Sequence, residues 1–593
     1  MEIATAPTLT PESHHRSGAR YANVPLACVI LLMFFVYIPT LRYEFVYDDF
    51  SQIQFNPNIQ SWSHLPKLFQ EHVWVQKQDS QPQYYRPVFM VWCLLQFKLF
   101  GLQRIFWHLG AVLLHLVVTA MVFRLAMKLL ADDLAAVTAA LLFGLHPVHL
   151  ESVAWVSGET DPLMAIFFIA SWFAYLGFRE SRRSLALSVL LYGVACLAKE
   201  TAIVLPALIA VYEWMLAADT APAARLRRTA LVVLPYAAIG GLYLVQRWAV
   251  LHAIGSVQLA LPLYKVPLSW PAILWFYVTD LAWPVNLALF HGMRPVYDAT
   301  WDRFWQPLLL VWMVGAAVGV FIRRLPAESN ATRPSLRAAA WISVAWFVIP
   351  LLPVLDILLL ERDELVHDRY LYLPCVGFAL LVAIAVRQLR AGSARLFGWP
   401  ALQFACAALL ASGMALATQL QSGYWSNELL LYTRAMQVAP NSLPAATLLA
   451  DTLLARNHPE KAIAVYQQIL GTYPTHWQSH FQLGKAYFQL GRYPQSETEF
   501  AAAVRLSPAA PFILVYLANA QIQNEHYAAA EDTVRRAIAA EPFTLGEHYV
   551  LGLVLEKRGR WNEAADAFRQ ELALDANQPV VREELARAER QGR

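Results

Sequence analysis

The stretch THWQSHFQLGKAYFQLGRYPQSETEFAAAVRLSP (475–508) is one unit of a pattern that returns every 34 residues. Pro440, Pro474, Pro508 and Pro542 share its closing register. The same offset links Ala450, Gly484, Ala518 and Gly552, and again Asn457, Gly491, Glu525 and Gly559. A third register joins Ala462, Ser496, Ala530 and Ala564, and a fourth joins Tyr466, Phe500, Val534 and Phe568. Small residues recur where paired helices must cross closely, and large ones where a core must be filled. One such unit cannot bury its apolar face alone, so neighbours must stack.

This is the tetratricopeptide (TPR) pattern. It predicts an α-solenoid of about four to five repeats over 424–593, with 424–442 a partial leading unit and 578–593 a charged cap. Such an array binds peptide or protein in its concave groove and by itself implies no catalysis.

Upstream the composition changes. Of the 593 residues, 58% are hydrophobic and 15% are charged, well below the charge content of an ordinary soluble protein. Almost all long apolar runs precede residue 422. A spanning helix needs about 20 mainly apolar residues. That predicts about eleven spans, near 23–41, 105–124, 134–146, 162–178, 184–198, 201–217, 229–248, 306–322, 338–355, 370–387 and 400–420. The runs 87–101 and 270–290 are read as interfacial helices. The domain expectation is therefore a cytoplasmic tail over 1–22, a transmembrane domain over 23–421, and the array. The run 24–41 reads as a retained helix, not a cleaved leader. Basic clusters such as Arg124–Lys128, Arg225–Arg228 and Arg387–Arg395 then fall on one side, and an odd span count puts the array on the other.

A net charge of +3 gives no reason to expect nucleic acid. The five cysteines (Cys28, Cys93, Cys196, Cys375 and Cys406) lie in apolar stretches without metal-ligand spacing.

The loops expected opposite the basic clusters hold most of the acidic, His and aromatic residues of the membrane half. Ionisable groups at that depth are costly and generally serve a purpose. Asp48 and Asp49 follow the first span, and one of them could take a proton from an acceptor hydroxyl. The segment 146–161 carries His146, His149, Glu151 and Asp161. Metal ligation there is conceivable and a charged sugar donor at least as suitable, but the spacing matches no standard metal motif. Lys199 and Glu200 interrupt an apolar stretch. Arg369 can hold phosphate through its planar fork, and Arg86 is a further candidate for that contact.

The stretches YDDF and FNPNI (47–59), YYRP (84–87), FGL…WHLGAVLLH (100–115), HPVHLESVAWVSGETDPL (146–163), LAKETAIVLP (197–206) and HDRYLYLP (367–374) resemble the transmembrane and tetratricopeptide repeat O-mannosyltransferases and their bacterial relatives. The resemblance implies an all-α, polytopic membrane domain of the GT-C glycosyltransferase type ahead of the TPR solenoid. It implies an inverting transfer of a mannose-like sugar from a polyprenyl-phosphate donor to a protein or glycan hydroxyl at the outer face, with the array binding acceptor or partner. Asp48 or Asp49 matches the catalytic base. His146, His149, Glu151 and Asp161 match the loop lining the active site. Lys199, Glu200, Arg369 and Arg86 are assigned to the donor by charge. Whether a divalent metal takes part stays open. The segment reads SGETD, placing Glu159 where the animal proteins carry a basic neighbour. Short Ala-rich loops suggest a bacterial inner membrane with a periplasmic array. The alternative is a non-catalytic membrane-anchored TPR scaffold for envelope assembly, which leaves the clustered motifs without a purpose.

Overall fold

A computed structural model of the chain describes residues 15–73, 84–177, 181–216, 221–252, 262–328, 334–357, 365–390 and 392–593. The first fourteen residues of the expected tail and parts of seven of the inter-helix connections fall outside these. The chain forms two compact units, Met1–Val438 and Ala439–Arg593.

The first unit is a multi-pass bundle of apolar helices. Every stretch expected to span is helical. Among the described residues, six helical segments are long and apolar enough to cross a membrane: Val24–Arg42, Arg104–Leu130, Pro222–Leu251, Trp301–Arg323, Leu336–Leu355 and Ala401–Trp425. A seventh is the bent pair Asp133–Gly144 and Pro147–Val153, which turns by 48° at the break. The other expected spans are shorter helices, such as Thr160–Leu176, Arg182–Ala198, Leu205–Leu216 and Pro374–Arg387. Both runs read as interfacial are short: Pro87–Phe100 and Trp270–Ala282.

The helix Arg104–Leu130 is central, with Trp107, Ala111, Val118, Val122 and Leu125 completely covered. Its interior neighbours are tied to it by side-chain bonds that satisfy polar groups in a dry bundle. His115 Nδ1 lies 2.8 Å from the Tyr372 hydroxyl, and its Nε2 lies 3.0 Å from the Gly144 carbonyl. A two-stranded hairpin pairs Arg395–Leu396 with Trp399–Pro400 ahead of the last long helix. The helix Glu428–Val438, expected to lead the array, belongs to this unit.

The second unit is a series of helix pairs, from Leu443–Ala455 with Pro459–Thr472 to Glu547–Lys557 with Trp561–Leu574, closed by Pro579–Gln591. The 34-residue registers have direct physical meaning here. A β-carbon added to Gly484 would stand 2.7 Å from the Phe500 ring, and one added to Gly552 would stand 2.3 Å from Phe568. Each first helix ends at a residue with positive φ: Asn457, Gly491, Glu525 and Gly559, at 60°, 68°, 62° and 72°. An all-α membrane domain followed by a TPR solenoid is thus borne out.

Candidate functional site

The first loop is anchored by an unusual turn. Tyr47 has φ of 53°, a left-handed backbone that bulky residues rarely adopt. Its ring is held 5.8 Å from that of Trp155 and 6.0 Å from that of Phe290. The turn drives Asp49 inward, where it is completely buried. Its carboxylate accepts from the Val46 amide at 3.1 Å, the Ser157 amide at 2.8 Å and the Ser157 hydroxyl at 2.6 Å. Burial pushes this carboxyl up to about 7; the three donors resist the rise and the neighbouring Asp48 charge adds to it. Asp48 is only half-buried. The two adjacent acids therefore differ in kind. Asp49 joins the first loop to the second, and Asp48 is the less buried of the two.

The second loop, 146–161, is buried throughout. Gly158 is required by close approach, because a β-carbon there would meet the Glu151 carbonyl at 2.2 Å. That packing presents Glu151 to the segment Asp368–Leu371. One Glu151 oxygen accepts from the Arg369 amide at 2.8 Å, and the other pairs with the Arg369 guanidinium. Asp161 accepts from the Ser152 hydroxyl at 3.3 Å and pairs with Lys199 Nζ at 2.6 Å. Lys199 and Asp161 are both almost wholly covered. Burial outweighs the pull of Asp161 and lowers the Lys199 ammonium. In the third pair Arg86 grips Glu200 with both arms of its fork, the Nε contact being 2.9 Å. Burial opposes ionisation of Glu200, but Arg86, Arg247 and Lys199 prevail and hold it well below the usual range.

Six of the residues expected at the site thus form three ion pairs. Asp161, Lys199 and Arg369 line one cleft of about 270 Å³, together with Tyr370, Met164 and Pro350. Arg369 lies over the rings of Trp155 and Tyr370, each at 5.5 Å, and Lys199 lies 5.8 Å from that of Tyr370. Trp155 thus bridges the Tyr47–Asp48 turn to the cation cluster.

The histidines of this loop make contacts of another kind. His146 Nε2 meets the Leu281 carbonyl at 3.0 Å. His149 packs among Phe143, Tyr372 and His115, with ring centres at 4.5, 4.7 and 5.1 Å.

Sequence reasoning left out several participants. Arg247 is buried 4.0 Å from Glu200. Glu159 is completely buried, bonded to the Trp92 indole and to Gln96 Nε2 at 2.9 Å. Burial pushes the Glu159 carboxyl up to about 8. Asp280, His291 and Asp368 also converge. The polar break of an apolar run at Asp280 and the place of Asp368 in the HDRYLYLP stretch were the signals for that last group.

With this geometry in hand, similarity to known proteins is informative. The tetratricopeptide repeat profile matches residues 447–511 and 517–579. Human protein O-mannosyl-transferase TMTC3 is 25% identical over 94% of this chain and 65% of its own length. Protein O-mannosyl-transferase F38B6.6 of Caenorhabditis elegans is 28% identical over 70% of this chain and 58% of its own. The chain resembles the protein O-mannosyl-transferases. It spans less than two thirds of the length of each of these relatives. Among solved structures, MamA matches 24% of this chain and 85% of its own at 23% identity, with a TM-score of 0.24. The similarity to the O-mannosyl-transferases runs through both units, as the motif resemblance implied.

Proposed function

We propose that the protein is a membrane glycosyltransferase of the GT-C type. It moves a mannose-like sugar from a polyprenyl-phosphate donor to a protein or glycan hydroxyl at the outer face of a bacterial inner membrane. The TPR array takes up the acceptor or a partner protein. The carrying observation is the meeting of Lys199 and Arg369 on one cleft, with the Arg86–Glu200 pair close enough to act on Lys199 electrostatically. With Arg247, four cations face the three carboxylates of Glu151, Asp161 and Glu200. The surplus of one positive charge matches the single negative charge of a phosphodiester. Arg forks suit phosphate oxygens, and apolar walls from Met164, Pro350, Val354 and Leu373 suit an adjoining lipid.

In the mechanism, Asp48 accepts the proton of the acceptor hydroxyl. That oxygen attacks the anomeric carbon from the face opposite the phosphate. The new carbon–oxygen bond forms as the bond to phosphate oxygen breaks. The electron pair leaves on the lipid phosphate, whose charge the cation cluster stabilises. Asp49 acts through position, because its carboxylate is occupied by Val46 and Ser157.

The test is transfer from radiolabelled polyprenyl-phosphate mannose in membranes holding the full chain. Asp48→Asn should lower the rate by about 10²–10⁴-fold with insertion unchanged. A rate for Asp48→Asn equal to wild type removes the mechanism, and no transfer by wild type to any envelope protein leaves the scaffold reading in its place.

A further inference from the structure

We propose that Asp280, His291 and Asp368 form a divalent-cation site, of the class that takes zinc or manganese, directly behind the loop that carries Arg369. Each residue offers one ligand atom, and these atoms all lie within 4.8 Å of one another. Asp280 ends the short helix Trp270–Ala282, His291 follows in the extended segment, and Asp368 opens the 3₁₀ turn Asp368–Leu371. Three separate stretches of chain therefore meet at one point.

Charge makes the arrangement unusual. Asp280 is 5% and Asp368 2% exposed, and the two carboxyls are close enough to share a proton. Oδ2 of Asp280 is buried without a hydrogen-bond partner. A buried, unsatisfied carboxylate oxygen is strongly unfavourable. His291 Nε2 lies 2.7 Å from Asp368 Oδ1, so one imidazolium can neutralise one carboxylate. The cluster sets one imidazole against two carboxyls, so Asp280 must either keep a proton or meet a further cation. A divalent ion would neutralise both aspartates with the imidazole neutral. Asp368 is already oriented, because its Oδ2 accepts from the Ala288 amide at 3.0 Å, the kind of support that ligating carboxylates receive.

One imidazole nitrogen with two carboxylate oxygens suits zinc or manganese better than magnesium, which prefers all-oxygen surroundings. The ion would pin Asp368, and through the next residue fix the Arg369 backbone amide that Glu151 holds. Its role is positioning, and it stands apart from the transferase reading, since binding can be measured without turnover.

The experiment uses the full chain in detergent, stripped with a chelating resin and re-equilibrated with zinc chloride or manganese chloride alone. Metal retained through gel filtration is counted by mass spectrometry. Wild type and the exposed-array control His526→Gln should retain about one equivalent of at least one of the two ions per chain. Asp280→Asn and His291→Gln should lose it. Zinc-edge X-ray absorption of wild type should give a mixed nitrogen and oxygen shell at about 2.0–2.2 Å, a readout that needs no variant to fold. Wild type without stoichiometric metal overturns the site, as does a shell containing sulfur or retention by both variants.

Discussion

The two units solve the same problem, holding helices together, by opposite means. In the array the partner is always near in sequence and the solution repeats. Gly484 and Gly552 meet Phe500 and Phe568, Ala518 clusters with Val534, and all six, with Ala450 and Tyr466 in the same registers, are buried. At the membrane-domain site nothing repeats and the partners are remote. Asp49 and Ser157 are 108 residues apart, Arg86 and Glu200 114, and Glu151 and Arg369 218. Packing by period distributes stability over many equivalent contacts. Convergence of charges concentrates it in a few pairs, each of which should matter far more.

Lys199 gives the largest expected effect. Replacing it with Ala leaves Asp161 buried without its cation, and breaking such a pair costs about 3–5 kcal/mol. The thermal midpoint of the full chain in detergent should fall sharply, and Lys199→Ala/Asp161→Asn should recover part of the loss. The matching change in the array, Asp566→Ala at the exposed Arg569 pair, should be worth about 0–1 kcal/mol. Equal losses at the two places would break the comparison.

Asp49 sharpens it through pH. Its folded-state carboxyl is raised from an ordinary 3.8 to about 7. A raised carboxyl contributes its full stability below the ordinary value and loses it as pH climbs through the raised one. The midpoint of wild type relative to Asp49→Asn should therefore fall steadily between pH 4 and about 7, and then level. A difference independent of pH would mean that the buried acid is already ionised at pH 4.

Gly552→Ala asks the converse question of the array. The new methyl would collide with the buried Phe568 ring, and overpacking of this kind costs about 1–3 kcal/mol. Hydrogen exchange in peptides across Glu547–Leu574 should rise, with donor-dependent transfer unchanged. Gly484→Ala, facing a less intimate 2.7 Å approach, should do less.

The same contrast explains what was legible in the sequence. The array could be read because a period of 34 makes each unit confirm the next. The ion-pair residues were found as polar interruptions of apolar runs and as family motifs, yet their pairing was not. Lys199 and Glu200 are neighbours in sequence, whereas Lys199 turns to Asp161 and Glu200 to Arg86. The two aspartates of the first loop could not be told apart either, because only the Tyr47 turn decides which one faces inward. His146 and His149 read as site residues by type, but nothing in the sequence told that the one ring would meet a backbone carbonyl and the other pack among aromatic rings. Arg247 sits in a long amphipathic helix, where a lone arginine carries no signal.

The smallest effect tests whether the period reaches the backbone itself. At all four repeat ends the residue after the positive-φ position donates its amide to a carbonyl five residues earlier: His458 to Leu453, Arg492 to Tyr487, His526 to Gln521 and Arg560 to Leu555, at 2.8–2.9 Å. This closure places one left-handed residue after each first helix. Gly491 and Gly559 adopt it without strain, whereas the exposed Glu525 bears a β-carbon in the same conformation. Left-handed backbone disfavours such a residue by about 1–2 kcal/mol, and glycine's greater freedom in the unfolded chain offsets part of that. Glu525→Gly should therefore stabilise its repeat by about 0.5–1 kcal/mol, seen as slower exchange in peptides spanning Phe512–Ala540, and Gly491→Ala should destabilise by a similar amount. If Glu525→Gly instead weakens the repeat, the side chain at that end contributes more than the turn it strains, and the array's equivalence of positions stops at its caps.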